Sequence, residues 1–120
     1  MNKKTIVIGV SDNPERYAYK AVKLLTAHQQ EVVALGIKQG QIDEVPIHTD
    51  RPVMNDIHTI TLYLNPERQE DWYSYILSVH PRRIIFNPGT ENEKLASLAQ
   101  AHGIATEEAC TLVLLNTNQY

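Results

Sequence analysis

The sequence predicts an α/β protein in three layers, with a mostly parallel sheet of about five or six strands between two sets of helices. Three observations carry that expectation. Short β-branched and aliphatic runs alternate with longer stretches whose apolar residues recur every three to four positions, the signature of βαβ units. Three of the apolar runs end in Asn-Pro, at Asn13-Pro14, Asn65-Pro66 and Asn87-Pro88, and each passes into a helical pattern. Asn can accept a hydrogen bond from an orphan backbone N–H at a helix start, and Pro suits the first helical position because it has no N–H to leave unpaired. Finally, 120 residues that are 42% hydrophobic and 21% charged are enough for one buried core, and residues 1–120 read as a single domain.

Residues 5–10 are a near-continuous β-branched run, as expected of a strand buried on both faces. From Tyr17 the period changes. Ala18, Ala21, Val22 and Leu25 follow the i, i+3, i+4, i+7 spacing of an amphipathic helix, with Lys20 and Lys23 off the stripe. That helix should end near His28, and residues 31–35 read as the second strand. Residues 36–46 form a polar connection with Gly40 as its expected turn, and a short strand is expected over 45–48. Residues 59–64 are the next strand and 66–79 the next helix, with Trp72, Ile76 and Val79 on one face. Residues 83–86 give a short buried strand. Thr90 and Glu93 have capping-box spacing. Leu95, Leu98, Ala99 and His102 make a further helical stripe, which Gly103 should stop. Residues 111–115 read as the last strand. Such alternation implies right-handed crossovers and a Rossmann-like sheet, whose strand ends share one edge, where ligands bind.

Composition narrows the function classes. A net charge of -3 gives no basic face for DNA or RNA, so any anionic ligand must be held by a few placed groups. One cysteine, Cys110, excludes an internal disulfide framework and fits a reducing compartment. The opening apolar run is too short for a signal core or a membrane span, so a soluble cytoplasmic protein is expected, without membrane partners. His28, His80 and His102 fall at predicted helix ends, where the dipole favours a cation. His48 and His58 flank a polar loop, and no spacing matches a metal motif, so no metal site is expected. Cys110 is the one candidate nucleophile, but Glu107 and Glu108 would raise a neighbouring thiol's pKa, the wrong direction for activation. A small, part-buried core residue is the expected role. No Ser/His/Asp order or carboxylate pair is legible, and no catalytic residue is expected.

Binding residues are easier to find. The loop Gly9-Val10-Ser11-Asp12-Asn13-Pro14 stands where a dinucleotide fold carries Gly-x-Gly-x-x-Gly, yet only Gly9 matches. Ser11, Asn13 and the helix N–H groups could face an anion there; a plain capped helix start accounts for the same residues. Arg16 and Arg68 each fall in a predicted first helical turn, where the macrodipole disfavours a cation by roughly a few tenths of a kcal/mol. A phosphate would turn that cost into a charge-assisted hydrogen bond, whereas pairing with Glu15 or Glu67 would leave both arginines as surface groups. Lys38 follows the second strand, where an NAD site wants Asp or Glu for the ribose diol; a cation there suits a phosphorylated ribose. In loop 86–92, Gly89 permits positive φ or close ligand approach. A capping box explains Thr90 and Glu93 but leaves Asn87 and Asn92 without a role.

At these residues the chain resembles a known family. The blocks SDNPERYAYKAV (11–22), DIHTITLYLNP (56–66), RIIFNPGTEN (83–92) and EACTLV (108–113) are similar to the small CoA-binding proteins related to the CoA-binding domain of the succinyl-CoA synthetase α subunit. The likeness covers nearly the whole chain. It implies a Rossmann-like fold, CoA or an acyl-CoA as ligand, and a nucleotide surrounded by loop 11–17, the region of Lys38, Asn65-Pro66 and loop 87–92. Together with the residue reading, the candidate cofactor site is Gly9, Ser11, Asn13, Arg16, Tyr17, Lys38, Asn65, Pro66, Asn87, Pro88, Gly89 and Asn92. Stand-alone members of the family look like binding domains cut from their catalytic partners, and the synthetase phosphohistidine lies in another domain, so none of the five histidines inherits that role. The expected function is a CoA-binding module without its own chemistry. The alternatives are an NADP-dependent oxidoreductase, against which the missing glycines count, and an interaction subunit reporting CoA level to a partner enzyme.

Overall fold

A computed structural model describes residues 2–120. Its strands are β1 (Thr5–Ile8), β2 (Val32–Leu35), β3 (Gly40–Ile42), β4 (Val45–His48), β5 (Thr59–Leu62), β6 (Arg83–Phe86) and β7 (Ala105–Glu108). Its helices are α1 (Tyr17–Ala27), α2 (Pro66–Gln69), α3 (Tyr73–Val79), α4 (Glu93–Ala101) and α5 (Thr111–Asn116). The seven strands form one sheet in the order β3-β4-β2-β1-β5-β6-β7. Every pair is parallel except the β3–β4 hairpin. The fold is thus the expected Rossmann-like α/β sandwich, with slightly more strands than the sequence suggests.

Side-chain alternation along the central strands explains why they read as continuous apolar runs. Ile6 and Ile8 of β1, with Ile60, Leu62, Ile84 and Phe86, pack under α3 and α4 against Ile76, Val79, Leu95 and Ala99. Val7 turns the other way, toward Ala18, Val22 and Leu25 of α1 and Leu115 of α5. Each such aliphatic side chain, fully buried, contributes about 1.5–3 kcal/mol, and both faces of the sheet are covered as a parallel sheet requires.

The structure corrects three sequence expectations. Residues 111–115 are not a strand but belong to α5: Thr111 and Leu115, four apart, are buried on one helical face, and a short Leu/Val run cannot announce which period it follows. The last strand is instead β7, a polar edge strand (Ala-Thr-Glu-Glu) held in register by β6 rather than by apolar burial. Gly40 is not the turn but the first residue of β3; the hairpin reverses at Asp43-Glu44, where Asp43 takes φ 53°, a left-handed conformation Asp tolerates better than most residues. Finally, residues 66–79 are not one helix. A 3₁₀ turn, Glu70–Trp72, separates α2 from α3, and its tighter winding sets Gln69 and Trp72, three apart, on the same inward side.

The two edges of the sheet differ. At the amino-terminal edge Arg83 donates to Thr59 Oγ1 (2.8 Å) and to Glu107 (2.9 Å), its guanidinium lies 4.5 Å from the Tyr120 ring centroid, and the Tyr120 hydroxyl bonds Thr5 Oγ1. That edge is filled by the chain's own side chains. The carboxyl-terminal edge is open. Among the described residues no helix is long and apolar enough to cross a membrane.

Candidate functional site

The carboxyl ends of β1, β5 and β6 open onto a cleft of about 480 Å³. β1 lies between β2 and β5, so successive connections leave it toward opposite sides. In open α/β sheets ligands bind at such a switch point. Gly9, Val10 and Ser11 after β1 form one wall, with Glu15, Arg16, Tyr17 and Ala18 from the approach to α1. Tyr63, Leu64 and Asn65 after β5, with Arg68 of α2, form the facing wall; Pro88, Gly89 and Thr90 after β6 and Ile37 after β2 complete it.

The structure brings seven of the twelve sequence-selected residues to this cleft: Gly9, Ser11, Arg16, Tyr17, Asn65, Pro88 and Gly89. Gly9 has φ 98°, and a Cβ there would stand 3.0 Å from the carbonyl of Tyr63, so only glycine lets the first two walls meet. The side chains beyond it shape the loop. Ser11 Oγ accepts from Asn13 N–H (3.1 Å), and Asn13 Oδ1 accepts from Glu15 N–H (3.0 Å). Asn13 therefore makes a turn and does not cap α1. Arg16, expected inside the first helical turn, is instead the N-cap residue, with extended backbone and no side-chain cap. The first turn of α1 also carries no acidic residue, so no side chain caps its N–H groups at the positive end of its dipole, and Glu15 is the one carboxylate that lines the cleft.

Asn65 behaves as its sequence promised: its Oδ1 accepts from Arg68 N–H at 2.9 Å, with Pro66 at the first helical position. Arg68 thus sits in the first turn of α2. Among the described residues neither Arg16 nor Arg68 has a carboxylate within ion-pair distance, Glu15 and Glu67 included.

Five selected residues do not line the cleft: Asn13, Lys38, Pro66, Asn87 and Asn92. Asn87 is 2% exposed; its Nδ2 donates to Thr61 Oγ1 (2.6 Å) and the Leu62 carbonyl (2.8 Å), and its Oδ1 accepts from Thr111 N–H (2.9 Å). It ties β5 to the start of α5. Asn92, not Thr90, caps α4, accepting from Leu95 N–H (3.1 Å), while Thr90 Oγ1 turns back to the Asn87 carbonyl. The expected capping box is therefore absent. The third Asn-Pro junction is a loop, with Gly89 N–H held by the Glu91 carboxylate at 2.9 Å and open space where a Gly89 side chain would stand. Lys38 is exposed on a bend beyond β2.

Sequence reasoning missed Gln69. Fully buried, its amide donates to the carbonyls of Leu64 and Thr90 (both 2.8 Å) and accepts from Asn92 (2.9 Å), so it joins the β5 and β6 walls. Nothing in a polar helical segment marks such a residue. Tyr63 was also missed. Burial, reinforced by the neighbouring Cys110, pushes its phenol far above the usual range, so it stays neutral. Cys110 itself is a half-buried N-cap residue of α5 and lies outside the cleft lining. His28, His80 and His102 are the C-cap residues of α1, α3 and α4, as expected. No cluster of metal-binding side chains occurs among the described residues.

Beside the cleft lies a second chamber of about 410 Å³. The two share Gly9, Ile37, Leu64 and Arg68; Gly36, Thr49, Arg51, Asp71 and Trp72 belong to the second alone. Arg51 lies with its guanidinium 3.8 Å from the Trp72 ring centroid and donates through Nη1 to the Asp71 carbonyl at 2.5 Å. Nothing in the sequence marks Arg51, and only the fold brings it to Trp72.

Comparison with known proteins identifies the family and the fold. The family model described as a CoA binding domain matches residues 3–116. No curated protein matches the chain. Among solved structures, the crystal structure of an uncharacterized protein has 42% identity and a TM-score of 0.97, over 100% of this chain and 99% of the other. A hypothetical protein from Pyrococcus horikoshii OT3 has 19% identity and a TM-score of 0.87, over 97% of this chain and 83% of the other. A dinucleotide-forming acetyl-coenzyme A synthetase from Ca. Korarchaeum cryptofilum has 11% identity and a TM-score of 0.70, with 88% of this chain superposing on 26% of that longer one. The last two likenesses are of fold. The family match spans nearly the whole chain, and the chain belongs to the family of CoA-binding domains.

Proposed function

From that membership we propose that the protein binds CoA or an acyl-CoA in the cleft at the carboxyl ends of β1, β5 and β6, as a binding module without catalytic residues of its own. The observation that carries this reading is the start of α1: an uncapped helix end without acidic residues, beside an Arg16 free of carboxylate partners, opening into a cleft at the switch point. A pyrophosphate placed there would accept from the orphan N–H groups and lie at the positive end of the dipole. Arg16 would meet it with a charge-assisted, bidentate bond. Arg68 approaches from the opposite wall, and the open space at Gly89 leaves backbone against which an extended chain can lie.

The lack of chemistry is part of the proposal. The titratable side chains lining the cleft are Glu15, Arg16, Tyr17, Tyr63 and Arg68. Tyr63 is held neutral by burial. The two arginines suit holding an anion, and the set offers no base oriented by a third group.

Isothermal titration of the full chain with CoA, an acyl-CoA and NADP tests the reading. CoA should bind more tightly than NADP, and Arg16→Ala should weaken CoA binding by about 1.5–3 kcal/mol, the range of a hydrogen bond to a charged group. Absence of CoA binding, or an Arg16→Ala variant that binds as well as the parent, would overturn it. Hydride transfer from NADPH to a carbonyl compound would move the assignment to an oxidoreductase.

A further inference from the structure

We infer that the second chamber receives the phosphate carried on the ligand's ribose, and that Arg51 and Arg68 discriminate for it. This inference rests on the CoA reading above and sharpens one part of it. A ligand whose pyrophosphate lies at α1 must place its adenosine half in adjoining space, and the chamber adjoins the cleft through Gly9, Ile37, Leu64 and Arg68. Ile37, 83% exposed, and Leu64 give apolar surface on which a base can lie.

The charge of the chamber is what a phosphate monoester requires. Two guanidinium groups line it against one carboxylate, Asp71, and neither arginine forms an ion pair among the described residues. Arg51 is held in place before any ligand arrives. One face of its guanidinium rests on Trp72, itself only 8% exposed, and Nη1 is fixed to the Asp71 carbonyl. A guanidinium has five N–H donors in a rigid fork. One is used in this contact, and Arg51 makes no other hydrogen bond among the described residues. A pre-positioned fork of this kind recognises phosphate oxygens in pairs, which a flexible ammonium does not. Lys38, by contrast, lines neither cavity and stands in solvent. On this assignment the cation expected beside the ribose is Arg51 with Arg68, and not Lys38.

Titration of the full-length protein with CoA and with dephospho-CoA, which lacks only the ribose phosphate, measures the discrimination as a ratio of dissociation constants. The parent should favour CoA at least tenfold. Arg51→Gln should bring the ratio to within threefold of unity while leaving dephospho-CoA affinity nearly unchanged, a built-in control for folding. Arg68→Gln should lower the ratio and weaken both ligands, since Arg68 also faces the cleft. Lys38→Gln should leave the ratio as it was. A parent that binds both ligands equally would overturn the inference, as would a ratio lost in Lys38→Gln and kept in Arg51→Gln. If neither ligand binds the parent, the CoA reading itself fails and this assignment falls with it.

Discussion

Replacing Asn87 separates a structural role from a ligand contact at a position the sequence offers as a binding residue. In Asn87→Ala the Thr111 N–H, at the first position of α5, loses its acceptor inside the protein, and the Leu62 carbonyl loses a donor. Thr61 Oγ1 keeps its bond to Thr111 Oγ1 at 2.8 Å, so that hydroxyl is not orphaned. An orphaned buried donor costs about 1–3 kcal/mol and a lost neutral hydrogen bond about 1 kcal/mol, so a total near 3 kcal/mol follows. For a chain of 120 residues the unfolding entropy makes 1 kcal/mol worth about 4 °C, and Tm should fall by about 12 °C. Thermal and urea unfolding followed by circular dichroism measure this, and CoA titration at 15 °C, where the variant is folded, should give the parental affinity. Asn87→Asp adds a signature that a cavity cannot mimic. The carboxylate still accepts from Thr111 but must be protonated to donate to Leu62, and burial raises its pKa. A group with a raised folded pKa binds its proton more tightly in the native state, so the defect should shrink as pH falls from 7 toward 4. A Tm loss under 4 °C in Asn87→Ala, or a loss of CoA affinity with Tm unchanged, would refute the structural assignment.

Two further perturbations probe the frame around the site. His58 is held below its ordinary pKa by burial first and then by the charges of Arg83, Lys3 and Arg82; the unfolded chain therefore binds more protons as pH falls through about 6.5, and stability is lost there. His58→Gln should lose less stability than the parent between pH 7.5 and 5.5, and parallel urea midpoints would contradict this. At Gly36 a Cβ would fall 2.2 Å from the Val10 carbonyl oxygen, so Gly36→Ala must push apart the ends of β1 and β2. A loss of about 3 kcal/mol is expected, and a Tm within 2 °C of the parent would show that the loops yield freely.

The parts of the fold that sequence made legible are those whose side chains report their own burial. β1, β5 and β6 read as strands because helices cover both faces and their β-branched and aliphatic residues are buried almost throughout, and α1 shows its stripe because one face is solvated. β7 was invisible for the converse reason. It is a polar edge whose place is set by backbone pairing to β6 and by Glu107 meeting Arg83, neither of which leaves a periodic trace. The site divides the same way. Its floor follows from strand-to-helix junctions and could be read; Gln69, Arg51 and Trp72 come from segments that meet only when the chain folds.

The three Asn-Pro junctions show how far a local motif can determine a role. The dipeptide is the same, and the outcomes differ because what surrounds the amide differs. At Asn65 the helix begins at once, the side chain accepts from Arg68, and local propensity suffices. At Asn13 the chain inserts a turn before α1, the amide is spent on Glu15, and the helix end that it might have capped is left open to the cleft. At Asn87 the strand ends deep in the sheet; a buried carbonyl on β5 and a buried N–H on α5 both need partners, and an unpaired buried polar group costs more than a cap is worth. The Asn therefore turns inward, and the capping of α4 passes to Asn92. A polar residue goes where its absence would cost most. By that criterion the junction whose helix is left without any side-chain cap, at Asn13, is the one that leaves backbone donors for a ligand.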